Sequence, residues 1–197
     1  MIQERQRVDL SRFDNSSFPR GAGFIKEALW YFTNALFFIN PLFPFRSPKP
    51  ALLRLFGAKV GKGVVIHPGV NIKFPWKLEI GDHVWIGQRV WLDNLDRLTI
   101  HSHVVISQGA MLILGSHDYR KVDYPTLTGP ITLEEGSWIG TGAIVLGGVT
   151  VRTHALLAAG SVTGKDLKAY TIYRGNPAQP VRERVIGADD GNEEAEA

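Results

Sequence analysis

Residues 133–162 read LEEGSW IGTGAI VLGGVT VRTHAL LAAGSV, five consecutive groups of six. The first position of each is aliphatic (Leu133, Ile139, Val145, Val151, Leu157), and the fifth is small or β-branched (Ser137, Ala143, Val149, Ala155, Ser161). Upstream, the same pattern holds in VGKGVV IHPGVN from Val60, IGDHVW IGQRVW from Ile80 and IHSHVV ISQGAM from Ile100, eleven hexads in all. One inward aliphatic every six residues, with short β-prone pieces separated by Gly, Asp or Asn corners, describes a chain wound as a three-sided coil. Each turn of about 18 residues stacks its aliphatic residues on those of the next, so the core is a continuous ladder. Apolar residues do not recur at about 3.6, which excludes a helical reading, and hairpins would show a period of about two without the six-residue phase. The fold class is therefore all-β, a parallel β-helix of hexapeptide repeats. Periodicity does not supply its hand.

The breaks in phase carry information of their own. Between Ile72 and Ile80, and between Leu92 and Ile100, the step is eight residues, which small corner insertions would absorb. From Leu112 to Leu133 the step is 21, and the intervening LGSHDYRKVDYPTLTGP holds two prolines. This predicts an excursion loop over 115–131, of a length that is usually functional inside a compact domain. Ahead of the coil, FIKEALWYFTNALFFINPLFPF holds eight of the chain's twenty aromatic residues. Its polar residues, Lys26 with Glu27, Thr33 with Asn34, and Asn40, recur every seven positions and form one narrow stripe on a helix that Pro41 stops. No apolar run approaches the roughly 18 residues of a membrane span. The helix is expected to pack across a coil or subunit surface; peripheral membrane contact, suggested by its basic flanks, is the alternative. The chain divides into an N-terminal extension with this helix (1–52), the β-helix (53–178), and a C-terminal segment with an acidic, disordered tail (179–197).

A length of 197 residues, 44% hydrophobic and 21% charged, fits one globular domain with an appendage and excludes bulk disorder. The absence of cysteine removes disulfides, thiolate metal sites and Cys nucleophiles, in keeping with a cytoplasmic location. The N-terminus shows no secretory signal pattern. Up to Lys62 there are ten basic residues against four acidic ones, whereas the final DDGNEEAEA carries five acids and no base. The coil has no basic stripe, so nucleic-acid binding is not expected. Neither a P-loop nor a GxGxxG after a strand is present.

Of six histidines, His67, His83, His101, His103 and His154 fall at repeat corners, where a solvated turn residue is the ordinary reading. His117 alone sits in the excursion, within GSHDYR, where an imidazole, which titrates near neutrality, can take and return a hydroxyl proton. Asp93 and Asn94, one coil earlier in WLDNLDR, could bind a polyhydroxylated ligand or simply form the corner as Asx turn residues. Asp118 could orient His117 or begin the next turn. Near the C-terminus, LAAGSVTGKDL and YRGNPAQPVRER combine small residues with Thr163, Gly164, Lys165, Arg174, Arg182 and Arg184, suited to a phosphate-bearing ligand running close to the backbone.

The stretches LLRLFGAKVGKGVVIHPGVNIKFPWKLEIGDHVWIG, VISQGAMLILGSHDY and RGNPAQPVRERV resemble the hexapeptide-repeat acyltransferases. Within them the chain is most similar to the acetyltransferases of colanic acid and exopolysaccharide biosynthesis, and more loosely to maltose and galactoside O-acetyltransferases. The resemblance implies a left-handed coil, a homotrimer with sites between subunits, and acetyl transfer from acetyl-CoA to a sugar hydroxyl. It implies His117 as general base, the Thr141 backbone N–H as oxyanion donor, and Trp138 lining the pocket. Coenzyme A would run along Ala159 and Gly160, with Lys165 and Arg182 at its phosphates. Galactoside-type relatives carry a second arginine where this chain has Gln179, which directs attention to Arg184 or Arg174. A zinc-binding branch of the same coils resembles a loop His followed by another five residues on; here that residue is Val122, so no metal is expected. A non-catalytic trimeric scaffold is the alternative function.

Overall fold

The computed structural model describes residues 7–16 and 18–187. The acidic stretch read as a disordered tail lies outside the described residues.

Two helices precede the coil. The first, α1 (Phe24–Thr33), runs on as a π-wound stretch, Asn34–Ile39. It ends at Asn40, whose ψ of 117° is the extended conformation that a following proline enforces. The second, α2 (Pro48–Leu55), opens on Pro48, where a missing N–H costs nothing, and leaves through Gly57 at φ +100°.

The hexads then wind three parallel sheets, one for each side of the coil. On the first face Val60, Ile80, Ile100, Leu133 and Val151 stack in register. On the second, Ile66, Ile86, Ile106, Ile139, Leu157 and Tyr173 do the same. On the third the ladder is Ile72, Leu92, Leu112, Val145 and Thr163. Every first-position aliphatic from Ile66 to Leu157 is buried, and so is every fifth-position residue from Val70 to Ser161. Backbone N–H groups bond to the next turn, as in Val65 to Val84 O and Trp85 to Val104 O, so no rung is satisfied alone. The expected 18 residues per turn hold for the step from Leu133 to Val151. The turns from Val60 to Ile80 and from Ile80 to Ile100 take 20, because each corner after the third face carries an insertion. One of these insertions is a 3-10 turn at Pro75–Lys77.

A third regularity lies at the fourth hexad position, where Gly63, Gly69, His83, Arg89, His103, Gly109, Gly136, Gly142, Gly148, His154 and Gly160 all have positive φ. The corner bends through the left-handed region, which favours glycine at most of these positions. At Gly136 a second reason acts: a Cβ there would run into the His154 ring of the next turn. His154 in turn stacks on Tyr170 at 4.9 Å, and His83 on His103 at 5.4 Å, so these corner histidines form ring columns along the coil edge.

The face of α1 and its π-wound extension that packs on the coil carries Trp30, Asn34 and Phe38. Trp30 Nε1 donates to Ile72 O at 2.9 Å, Asn34 Nδ2 donates to Asn71 Oδ1 at 2.8 Å, and Gly69 N donates to Phe38 O at 2.8 Å. The helix thus packs on the third face of the coil, and its outward residues Ile25, Leu29, Phe32 and Leu36 are apolar and exposed. At the other end, the expected boundary at 178/179 falls inside a hairpin. Thr171–Gly175 continues the second face, and Ala178–Glu183 folds back against it, antiparallel, because Asn176–Pro177 makes a tight reversal.

Candidate active site

The excursion is an ordered hairpin. Gly115–His117 pairs antiparallel with Thr126–Thr128, with His117 opposite Thr126. Asp118 N donates to Pro125 O at 2.9 Å, closing the tip. Tyr124 sits at φ +52°, rare for a bulky residue, and this bend turns its carbonyl toward His117. His117 Nδ1 lies 2.9 Å from Tyr124 O. A carbonyl can only accept, so Nδ1 carries the proton and Nε2 keeps a lone pair in the neutral ring. The imidazole is also gripped by aromatic rings: Tyr124 stacks on it at 5.2 Å, and Phe13 meets it edge-on at 5.7 Å.

His117 lines a cavity of about 350 Å³ with Phe13, Asn15, Phe18, Lys73, Phe74 and Asp93 among its walls. The N-terminal segment forms one wall. Asp9 N donates to Val122 O, Thr126 Oγ1 donates to Asn15 Oδ1 at 3.0 Å, and Trp76 Nε1 donates to Arg20 O at 2.7 Å. Asp93 enters the cavity from the third face; burial pushes its carboxyl above the ordinary carboxylate range, opposed by the nearby Lys73 ammonium. Asp93 and His117 thus line one cavity.

Two other acceptor-side candidates turn elsewhere. Asn94 is fully buried; its Oδ1 accepts from Lys73 N and Phe74 N at 3.1 and 3.0 Å, and its Nδ2 donates to Phe74 O at 2.6 Å. Of its two readings the structure selects the corner-former, since no amide atom is left for a ligand. Asp118 does not orient His117. Its carboxylate accepts from Arg120 N and Nε at 3.1 and 2.9 Å, and these bonds hold it below its usual pKa.

Of the donor-side candidates, Thr141, Ala159 and Gly160 share the corner after the second face, whereas Lys165 follows the third face and Arg182 lies on the C-terminal strand. Thr141 is exposed, and its carbonyl accepts from Gly160 N at 2.8 Å, so Thr141, Ala159 and Gly160 sit on adjacent turns. A Cβ on Gly140 would come within 2.6 Å of Ala159 N, so only glycine allows the turns to close here. Among the described residues the Thr141 N–H has no acceptor. Trp138 is 41% exposed, its Nε1 donating to Ser107 Oγ at 2.8 Å. Lys165 and Arg182 are exposed. Thr163 is not available to a ligand: it is buried, and its hydroxyl closes a turn by donating to Lys165 O and accepting from Lys165 N. Arg184 is likewise committed. It donates to Gly136 O and His154 O at 3.0 and 3.1 Å and lies over the Trp138 ring, pinning the C-terminal strand to the coil, and burial lowers its pKa. Within one chain none of Trp138, Thr141, Ala159, Gly160, Lys165 and Arg182 lines the His117 cavity. Among the described residues no cluster of three or more His, Asp or Glu is arranged to hold a metal, and no helix is long and apolar enough to cross a membrane.

Phe13, Asn15, Lys73 and Tyr124 are site residues that sequence reasoning missed. None belongs to the aliphatic repeat, and the contact between Asn15 and Thr126 joins residues 111 positions apart, so no local signal marks it.

The stacked three-sided coil is the fold of the hexapeptide-repeat acetyltransferases. WcaF of Escherichia coli (strain K12), named for acetyl transfer in colanic acid biosynthesis, is 43% identical over 178 residues, covering 90% of this chain and 97% of that protein. The chain belongs to that family of colanic acid biosynthesis acetyltransferases. A hexapeptide-repeat acetyltransferase of Vibrio cholerae, solved in complex with acetyl-CoA, superposes with a TM-score of 0.75 at 25% identity, over 88% of this chain and 93% of that one. A galactoside acetyltransferase in complex with coenzyme A shares the fold, with a TM-score of 0.75 at 19% identity, over 93% and 94% of the two chains. No profile of a known protein family matches the chain.

Proposed function

We propose that this protein transfers acetyl from acetyl-CoA to a sugar hydroxyl in cell-surface or exopolysaccharide assembly, with His117 as general base. The carrying observation is the imidazole whose Nδ1 is tied to Tyr124 O while its ring lines a cavity. Nε2 takes the proton of the acceptor hydroxyl as that oxygen bonds to the thioester carbonyl carbon. The carbonyl electron pair moves to oxygen, where the unpaired Thr141 N–H stabilises it. Collapse restores the C=O bond, breaks the C–S bond, and the imidazolium protonates the departing thiolate. No covalent enzyme intermediate forms, which suits a chain without cysteine.

The donor fits the corner between the second and third faces. Gly160, with φ +67° and open space where a Cβ would stand, and exposed Ala159 offer bare backbone to an extended ligand, and Lys165 and Arg182 are free for its phosphates. Because none of these groups lines the His117 cavity of its own chain, the complete site is formed in a homotrimer, the His117 cavity of one subunit facing the donor groups of the next. The relatives' names and the acetyl-CoA and coenzyme A complexes of structural neighbours support the reading.

The test is isothermal titration of acetyl-CoA into wild type, into Lys165→Ala/Arg182→Ala and into His117→Ala. The double variant is expected to bind about tenfold more weakly or worse. His117→Ala should keep its affinity within about twofold while kcat falls about 10²- to 10⁴-fold. No heat at millimolar acetyl-CoA would return the protein to the scaffold reading.

A further inference from the structure

His117 stands on an exposed two-stranded hairpin, and its ring turns about a terminal torsion with only broad, weak preferences. The bond from Nδ1 to Tyr124 O fixes one corner of the imidazole and leaves the ring free to pivot about that contact. Two aromatic rings remove this freedom. Tyr124 lies nearly parallel to the imidazole, at an interplanar angle of 24°, and Phe13 crosses it at 67°. Tyr124 is a neighbour on the same hairpin. Phe13 comes from near the start of the chain, is 39% exposed, stands outside the hydrophobic core, and has His117 as its one aromatic partner among the described residues.

Polar contacts, rather than burial, put Phe13 there. Asp9 Oδ1 accepts from Ser11 N and Oγ at 3.1 and 2.6 Å, capping a 3-10 turn at Leu10–Arg12, and Phe13 N closes that turn by donating to Leu10 O at 3.1 Å. Asp14 accepts from Ser16 N and Oγ at 2.8 and 3.0 Å in the same manner. This locally folded strap is tied to the hairpin at two places. Asp9 N donates to Val122 O, and Asn15 Oδ1 accepts from Thr126 Oγ1, the residue paired with His117. Phe13 falls between the two ties. Beyond them, Lys77 Nζ donates to Pro19 O at 2.6 Å and lies over the Phe18 ring at 4.8 Å, fastening the strap where it leaves for the coil.

We propose that Phe13 and the Tyr124 ring are positioning residues for the base: the seated strap holds Phe13 against the imidazole, so that Nδ1 stays on Tyr124 O and Nε2 is kept for the acceptor hydroxyl. The inference rests on the proposed role of His117; the restraint itself is tested without turnover. One aromatic pair shifts a conformational equilibrium by roughly 2- to 10-fold, so loss of either ring should be visible in the imidazole itself.

The readout is the ratio of the two neutral tautomers of His117, taken from imidazole nitrogen-15 shifts of the full chain labelled at histidine, in mildly alkaline solution. Its resonances are assigned by their loss in His117→Ala. Wild type is expected to carry the proton on Nδ1. Phe13→Ala should shift the ratio toward Nε2–H by at least about twofold, and Phe13→Tyr should restore it. Asn15→Ala, which unties the strap from Thr126 without touching either ring, should move the ratio the same way. So should Tyr124→Gly, which keeps the left-handed φ and the carbonyl but loses the stacked ring, whereas Tyr124→Phe should not. A cooperative urea transition certifies each variant as folded. In turnover, with methyl β-D-glucopyranoside as test acceptor and free thiol as the signal, Phe13→Ala should lower kcat about 2- to 10-fold while both KM values stay within about twofold. A wild-type tautomer ratio in Phe13→Ala, or an unchanged kcat with a raised acceptor KM, which would make Phe13 a surface for the sugar, would each overturn the proposal. A shifted ratio in a protein whose turnover survives His117→Ala would instead refute the catalytic reading alone.

Discussion

Asn94→Ala tests whether that residue builds the site or touches a ligand. The side chain has three hydrogen-bonded contacts, with Lys73 N, Phe74 N and Phe74 O. Lys73 N also donates to Leu92 O at 3.0 Å, so truncation does not orphan it. Phe74 is buried and its N–H would lose its partner, whereas its C=O still accepts from Lys77 N at 3.0 Å. At roughly 1–2 kcal/mol for a buried unsatisfied group, the expected loss is about 1–2 kcal/mol. With a urea slope of about 2 kcal/mol/M, the midpoint should fall by roughly 0.5–1 M without a change in slope, measured by tryptophan fluorescence at fixed protein concentration. Asn94→Asp adds a pH signature. The carboxylate accepts from both N–H groups but faces Phe74 O with an oxygen, and only its protonated form can donate there. Its folded pKa is therefore raised, the folded state binds more protons above the unfolded value near 4, and stability should fall by up to about 1.4 kcal/mol per pH unit until the folded pKa is passed. Wild-type stability in Asn94→Ala, combined with a raised acceptor KM, would refute the reasoning and restore Asn94 as a ligand.

Other consequences follow from buried groups and corners. Lys49 is fully buried, donates to His67 O at 3.0 Å, and is depressed to about 8 by burial and by Arg46. Between that value and the unfolded value of about 10.5 the unfolded chain holds the extra proton, so wild type should gain stability as pH rises through this window. Lys49→Met should abolish the gain and stabilise the protein at pH 7 by up to about 3 kcal/mol, read from urea midpoints across pH. Gly136→Ala meets both a left-handed φ of +66° and the His154 ring, whereas Gly142→Ala meets φ +64° and open space. The second should cost about 1 kcal/mol and the first at least about twice that; equal thermal shifts would show that the ring column yields freely.

His117 was legible as the lone histidine outside the repeat, and Thr141, Ala159, Gly160, Lys165 and Arg182, the residues proposed for the donor, are exposed. Asn94, Asp118 and Thr163 show the limit of such reading. Each is a polar residue at a bend, and whether it serves a ligand or its own backbone depends on which N–H groups the fold brings within about 3 Å. Arg184 was open to either role until the hairpin carried it onto the Gly136 and His154 carbonyls.

By itself the sequence determined the coil, its eleven hexads, the excursion and the entry helix. Burial of an aliphatic every six residues is a local periodic constraint, and it repeats until it cannot be mistaken. Only the tertiary structure decided the surroundings of His117: Phe13 and Asn15 from the N-terminal segment, Tyr124 O behind the ring, Asp93 and Lys73 from the coil. It also paired Asn34, ahead of the coil, with Asn71 and left a hollow beside the site. Those contacts join segments remote along the chain, and a pairing made once, between two unrelated stretches, leaves no period to read.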